Sequence, residues 1–501
     1  MRTIEKVEVG KIDFGKNDGK NEAEKENFIE LFYNGNNNYE KLNKDDCFII
    51  TGYKGSGKTL LANYFSKNKS RDKGTCIDNL SAVDFMEQKL LSFSENIIGK
   101  EELTIFWKYV YLRNIGKIIC KNVYKTTFYK FKFLKLKKIK KLENLLTEIQ
   151  LIIDASEVSY HEKNELGISG SIGFSSNGTS IKGKLSGADN FDKVNKLKKK
   201  KYYELVEDLE KEIVKNVNGK EKIFVIYDDL DQLEEHMNLE EFLSLMKSMI
   251  YAADNLNYKF RKGNIPFRII HVIRSDIKEL MLDDSNNIQK VFSDFGVNID
   301  WFSERQDNPC YHPIMKMLLH KIRNSVNSYK NFDDKDLYKI IFNTDEPILD
   351  FLLRNSFGRP REIIQLLLIF QEKYPKAKSI SISLLEKCLP KYSEWLYGAV
   401  LSELKVQQES ENIKKVIYLI QERGYKSFTY KKIEFYMNNN SMIKVDDLLS
   451  ILRMMYKMGL IGVRNKNGSI QFSFRSNLSQ LPREYTKFTT HSGLVKYLNL
   501  F

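Results

Sequence analysis

The stretch that most constrains this chain is Gly52-Tyr53-Lys54-Gly55-Ser56-Gly57-Lys58-Thr59, which has the form G-x-x-x-x-G-K-[ST]. Cys47 to Thr51 before it is short and apolar and reads as a buried strand. Leu60 to Phe65 after it has helical spacing. Strand, glycine loop and helix together are the context in which such a loop cradles phosphate. Glycines let the backbone curl with its N–H groups turned inward, and the helix opening at Lys58 points its positive end at the same anion. The expected binding set is Gly52, Tyr53, Lys54, Gly55, Ser56, Gly57, Lys58, Thr59 and Leu60. Lys58 is expected to reach the β- and γ-phosphates and the Thr59 hydroxyl to ligate Mg²⁺. The alternative, a Gly/Ser turn with a solvated lysine, is disfavoured by the flanking strand and helix.

A second anchor is Ile223-Phe-Val-Ile-Tyr227-Asp228-Asp229-Leu230-Asp231. The apolar run suits a strand covered on both faces, and carboxylates at its C-terminal end sit where open α/β sheets hold ligands. Asp228 is expected to hold Mg²⁺ through its water shell and Asp229 to orient or deprotonate an attacking water, with Asp231 in support. Phe267 to Ile273 reads as another buried strand, ending in Arg274-Ser275-Asp276. Arg274 or Ser275 is a sensor candidate there; pairing of Arg274 with a nearby acid such as Asp276 is the alternative. His271 lies among apolar neighbours and reads as packed rather than as a ligand. Further on, Phe357-Gly358-Arg359-Pro360-Arg361-Glu362 places two arginines at a helix entrance. A guanidinium there, Arg361 in particular, could reach a nucleotide phosphate across a cleft.

At 501 residues the chain is expected to hold about two to four domains. Its net charge of +14 suits an anionic partner. The five cysteines are far apart with no C-x-x-C, which argues against a zinc ribbon or a disulfide scaffold and fits a reduced cytoplasmic setting. No apolar run is long enough to span a membrane, and no secretion signal is seen. Lys121 to Lys141 interleaves lysines with aromatics and contains no acid, so it could bind DNA or RNA, lie on a membrane surface, or be a solvated helix face. Gly167 to Leu185 alternates around Asn177-Gly178 and reads as a protruding hairpin. Beyond about 396, three helical segments and a hairpin (Leu460 to Phe474) follow the order of a winged helix, and the tail from Phe488 is expected to end in a short helix. The third helix is too apolar to be a good major-groove reader, so docking or autoinhibition is favoured, with DNA contact through Arg464 and Lys466 as the other reading.

The loop, the Asp228-Asp229-Leu230-Asp231 turn, the Arg274 strand end and the Arg359-Pro360-Arg361 entrance occur in this order. Together they resemble bacterial P-loop ATPases allied to the AAA+, KAP and STAND groups. The resemblance implies ATP and Mg²⁺ as cofactors, a five-stranded parallel sheet with the loop strand central, and a strand lying between the loop strand and the acidic strand. It also implies an α-helical lid, ATP-driven assembly or switching, and anti-phage defence as a setting for several members. Lys58, Asp229, Arg274 and Arg361 are the catalytic candidates by this likeness, and Thr59 and Asp228 the metal ligands. The chain departs from the pattern in having Asp229 where many hydrolytic relatives carry Glu. In place of the membrane helices that KAP proteins insert, it has a basic stretch and hairpin. Arg305 and Arg323 are the guesses for an arginine finger. The expected fold is α/β: a P-loop parallel-sheet core (1–83 and 216–312) with an inserted basic helical and hairpin arm (84–215), a helical lid (313–395) and a winged-helix-like region (396–501). The expected activity is an ATP-hydrolysing switch; the alternative is a nucleic-acid-binding or scaffold protein that holds ATP without turnover. A protein partner or self-assembly is expected with the first.

Overall fold

The computed structural model describes residues 6–81, 100–126, 139–150, 202–216, 221–282, 286–302, 308–404, 409–440, 443–465, 467–475, 481–484 and 486–501. The expected hairpin at 167–185, the central part of the basic stretch, Arg305 and Lys466 lie outside them. The chain divides into two compact units: Met1–Tyr39, Gly52–Tyr64 and Asn298–Phe501 form one, and Glu40–Thr51 and Phe65–Val297 the other.

Five strands make one sheet: β1 (Ile49–Gly52), β2 (Thr75–Ser81), β3 (Lys222–Asp228), β4 (Phe267–Arg274) and β5 (Gly296–Asn298), in the order β2-β3-β4-β1-β5. β3 runs parallel to β2 on one side and to β4 on the other, with Ser81 opposite Asp228 and Tyr227 opposite His271. The expected placement of β4 between the loop strand and the acidic strand is seen. The loop strand is not central, however. β4 occupies the middle and β1 is next to the edge, because β5 alone lies beyond it. Every residue of β4 is buried, as a strand covered on both faces requires, and its buried polar residues are Arg268, His271 and Arg274.

The helix Lys100–Thr126 lies within the expected insertion at 84–215. Its Trp107, Tyr109, Tyr111 and Leu112 are fully buried, and it packs against β3 and the helices Tyr202–Asn216 and Leu239–Lys262. Tyr111 Oη donates to Met249 O (3.1 Å) and lies 2.8 Å from His271 Nε2, while Asn114 Nδ2 donates to the Tyr227 hydroxyl (2.8 Å). Burial pushes the His271 pKa down to about 3, so the ring is neutral and packed, as expected. A helix at 139–150 lies against Gly116, where a Cβ would come within 3.2 Å of Leu146. The described flanks of the basic stretch thus belong to a helical layer over the sheet.

In the other unit, the helices from Pro313–Ser325 to Leu389–Leu404 share one apolar core with the N-terminal lead and the C-terminal segments. The lead is tied in by Val9 N–H to Ala377 O and Gly10 N–H to Pro375 O (both 2.8 Å), and by a buried ion pair between Glu22 and Lys321. The expected boundary at 395/396 falls inside the helix Leu389–Leu404. Beyond it come helices Ser410–Arg423, Tyr430–Asn439 and Leu448–Lys457. A four-stranded antiparallel sheet accompanies them: β6 (Ser427–Thr429), β7 (Ile461–Arg464), β8 (Ile470–Gln471) and β9 (Lys487–Thr490), in the order β6-β9-β7-β8. β6 and β9 were not expected. The tail first forms β9, burying Phe488 between its neighbours, and only then the short 3₁₀ turn Ser492–Leu494. Among the described residues no helix is long and apolar enough to cross a membrane.

Candidate nucleotide site

The loop between β1 and the helix Lys58–Lys69 has the backbone its glycines foretell. Gly55 and Gly57 have φ of +81° and +96°, conformations that side chains with a Cβ rarely adopt. At Gly52 a Cβ would lie 2.4 Å from Ser56 Oγ, so the turn closes only over a bare backbone. Ser56 N–H donates to Tyr53 O (3.1 Å), Leu61 N–H to Gly57 O (2.9 Å), and the Lys58 ammonium folds back onto Tyr53 O (3.0 Å). Thr59 opens the helix beside Gly19 of the N-terminal lead, whose Cβ, were it present, would be 3.2 Å from that of Thr59.

The outer side of the loop is gripped by its own unit. Trp301 Nε1 donates to Ser56 O (2.8 Å). Arg361 N–H donates to Gly55 O (3.3 Å), and Arg359 Nη1 to Lys54 O (3.2 Å). Arg359 also pairs with Glu403 (2.6 Å) and lies over the rings of Tyr53 and Phe357, 5.3 and 5.2 Å from their centroids. The Arg361 guanidinium sits 5.8 Å from the centroid of Trp395, and its Nε is buried without a hydrogen-bond partner. Both arginines come from the start of the helix Pro360–Lys373, which Pro360 opens. Glu362, one residue on, is fully buried. Desolvation pushes its pKa up to about 7 against the downward pull of Arg359, and it accepts from Phe357 N–H (2.6 Å).

The acidic turn lies at the end of β3. Asp229 has φ +55°, a left-handed conformation that Asp tolerates better than most residues. Asp228 Oδ1 accepts from Asp229 N–H (2.8 Å), which fixes that carboxylate against its own chain. Arg274, at the end of β4 and 7% exposed in its side chain, clamps the turn. Its Nη1 donates to Asp231 (2.9 Å), while its Nε (3.1 Å) and Nη2 (2.5 Å) bind Asp276 as a fork. Arg274 is thus engaged by two carboxylates, the pairing given above as the alternative to a sensor role, and Asp231 has a defined partner. Arg323 pairs with Asp334 and donates to Phe332 O, both within its own helical region.

Sequence reasoning placed Arg359 and Arg361 at a helix entrance, and the structure brings both against the loop. It did not find Trp301, Ser402 or Glu403, and no local pattern marks them. A cradle that only glycine can form, a lysine and a threonine at a helix start, and two arginines beside them suit a triphosphate with Mg²⁺.

Residues 312–401 match a family described as the FunZ-associated C-terminal helical domain. No curated protein matches the chain. Among solved structures, Cdc6p from Pyrobaculum aerophilum aligns over 90% of this chain and 85% of that one, at 10% identity and a TM-score of 0.31. A likeness at that score carries no argument, so the fold assignment rests on the strand order and the loop described above.

Proposed function

We propose that this chain is an Mg²⁺-dependent ATPase whose nucleotide state is passed to the helical region and the C-terminal sheet. The observation that carries the reading is the phosphate-type loop Gly52–Thr59 held directly against the Arg359-Pro360-Arg361 helix start. In this reading the loop N–H groups and Lys58 bind the β- and γ-phosphates, and Arg361 answers to the terminal phosphate. Thr59 and Asp228 are the residues assigned to Mg²⁺, which would neutralise charge on the phosphates. Asp229 orients the attacking water and takes its proton. Arg274 keeps the acidic turn in place through Asp231 rather than sensing phosphate itself.

Hydrolysis that changes which contacts Arg359 and Arg361 make would shift the helical region between two states, which is what coupling to a partner requires. In this reading the C-terminal helices and sheet are the docking unit. Anti-phage defence remains an implication of the resemblance to AAA+, KAP and STAND proteins. The second reading, ATP held without turnover by a nucleic-acid-binding or scaffold protein, draws on the lysine-rich stretch from Lys121 to Lys141. Phosphate release measured with and without DNA or RNA separates the two. Release that depends on Lys58 and Asp229 supports the ATPase; salt-dependent nucleic-acid binding that ignores ATP, with no release, supports the other.

A further inference from the structure

We propose that Arg359, with Glu403 behind it, is a positioning residue that fixes a peptide plane of the phosphate loop, so that the helix Leu389–Leu404 sets how tightly the loop holds a triphosphate. The inference rests on the nucleotide reading above and extends it to a residue that need not touch the ligand.

A phosphate loop binds through N–H groups turned inward, and in each peptide unit the N–H and C=O point in opposite directions. A donor that holds a carbonyl on the outer side therefore holds the following N–H on the inner side. Three consecutive units of this loop are held in this way. Ser56 O accepts from Trp301 Nε1, Gly55 O from Arg361 N–H, and Lys54 O from Arg359 Nη1. The N–H of the Gly55–Ser56 unit is already spent on Tyr53 O. The unit governed by Arg359 carries the N–H of Gly55. That plane needs holding, because Gly55 at φ +81° has no Cβ to restrict its rotation.

Arg359 is itself held from several sides. Glu403 Oε1 lies 2.6 Å from its Nη1, Glu362 Oε1 lies 3.7 Å from its Nε, and the rings of Tyr53 and Phe357 lie against the guanidinium. Its side chain is 12% exposed. Ser402, the neighbour of Glu403, accepts from the Lys54 ammonium, so of two successive residues near the end of one helix one binds residue 54 directly and the other binds the arginine that holds it. Phe357 in turn stacks on His491, just past β9, at 4.5 Å between centroids. The loop, Arg359 and the C-terminal sheet are thereby joined through contacts inside one unit.

The test is calorimetric titration of Mg-ATP into the full chain and its variants. Arg359→Ala is expected to weaken binding about tenfold, the worth of one hydrogen bond from a charged donor. Glu403→Gln is expected to weaken it about threefold, and the double variant no more than Arg359→Ala alone, since Glu403 acts through Arg359. Amide exchange in the ATP-free protein supplies a readout that a purely structural role would not move. Peptides covering 53–57 should exchange faster in both single variants, with those covering 461–464 unchanged. If Arg359→Ala does not fold, Arg359→Lys, which keeps the charge and loses the fork, stands in and should also bind more weakly. Tight binding by the wild type with unchanged affinity in the Arg359 variants, or additive losses in the double variant, overturns this inference alone. No binding by the wild type overturns the nucleotide reading beneath it.

Discussion

The loop at 52–59 and the acidic turn at 228–231 both follow buried strands, yet they are held by opposite means. The loop has little rigidity of its own: its glycines free the backbone, and its outer carbonyls are held by Trp301, Arg359 and Arg361, distant in sequence. The acidic turn is held mostly from within. Asp228 bonds to the next peptide, Asp229 takes a left-handed conformation, and Arg274 closes the turn from the adjacent strand. A site that must close round a ligand is thus scaffolded from outside, where a lid can act on it. A turn that must present carboxylates in fixed directions is stiffened locally.

Four substitutions sharpen or break that contrast. Lys58→Ala should cost the largest effect, about a thousandfold in ATP affinity or on the order of 4 kcal/mol, read by calorimetry. A smaller loss than that of Arg359→Ala would mean that the loop does not bind phosphate through Lys58. Arg274→Met should lower stability to denaturant by about 3 kcal/mol, because it removes the cation that two partly buried carboxylates share. An unchanged denaturation midpoint would show that the turn does not need its clamp. Gly55→Ala should weaken the loop more than Gly57→Ala. Both positions carry the positive-φ penalty of about 1 kcal/mol, but at Gly55 a Cβ would also lie 2.8 Å from Arg361 Cβ, whereas at Gly57 it meets nothing within 4 Å. Equal melting temperatures and affinities for the two variants would contradict the outside grip.

A last prediction concerns pH. Burial raises the Glu362 pKa from 4.5 to about 7, so the folded state favours the protonated acid. Its contribution to stability is complete below the unfolded value and is lost as pH rises through about 7. Glu362→Gln should flatten that part of the stability–pH curve; a curve of unchanged slope would show that Glu362 does not titrate there.

The parts of the molecule legible in sequence are those set by local pattern. The loop, the runs at Ile223 to Tyr227 and Phe267 to Ile273, and the Pro360 helix start all announce themselves within a few residues. What sequence hid depends on partners far along the chain. β6 and β9 are three and four residues long and become strands only by pairing with each other and with β7. The helix Lys100–Thr126 read as part of an insertion because its position between the two motifs is visible, whereas its burial against β3 is not. The central place of β4 is a matter of crossover order, which no strand carries in its own residues. Arg359 could be seen at a helix entrance; its hold on Lys54 O and its pairing with Glu403 could not.

If the loop binds ATP and the acidic turn drives its hydrolysis, the two steps separate at Asp229. Binding and phosphate release should be measured side by side on the wild type and on Asp229→Asn, a substitution that keeps the left-handed backbone comfortable and removes the base. ATP affinity should be equal in the two, with release slowed about a hundredfold in the variant. Equal release rates, or no ATP bound by either protein, would contradict the ATPase reading.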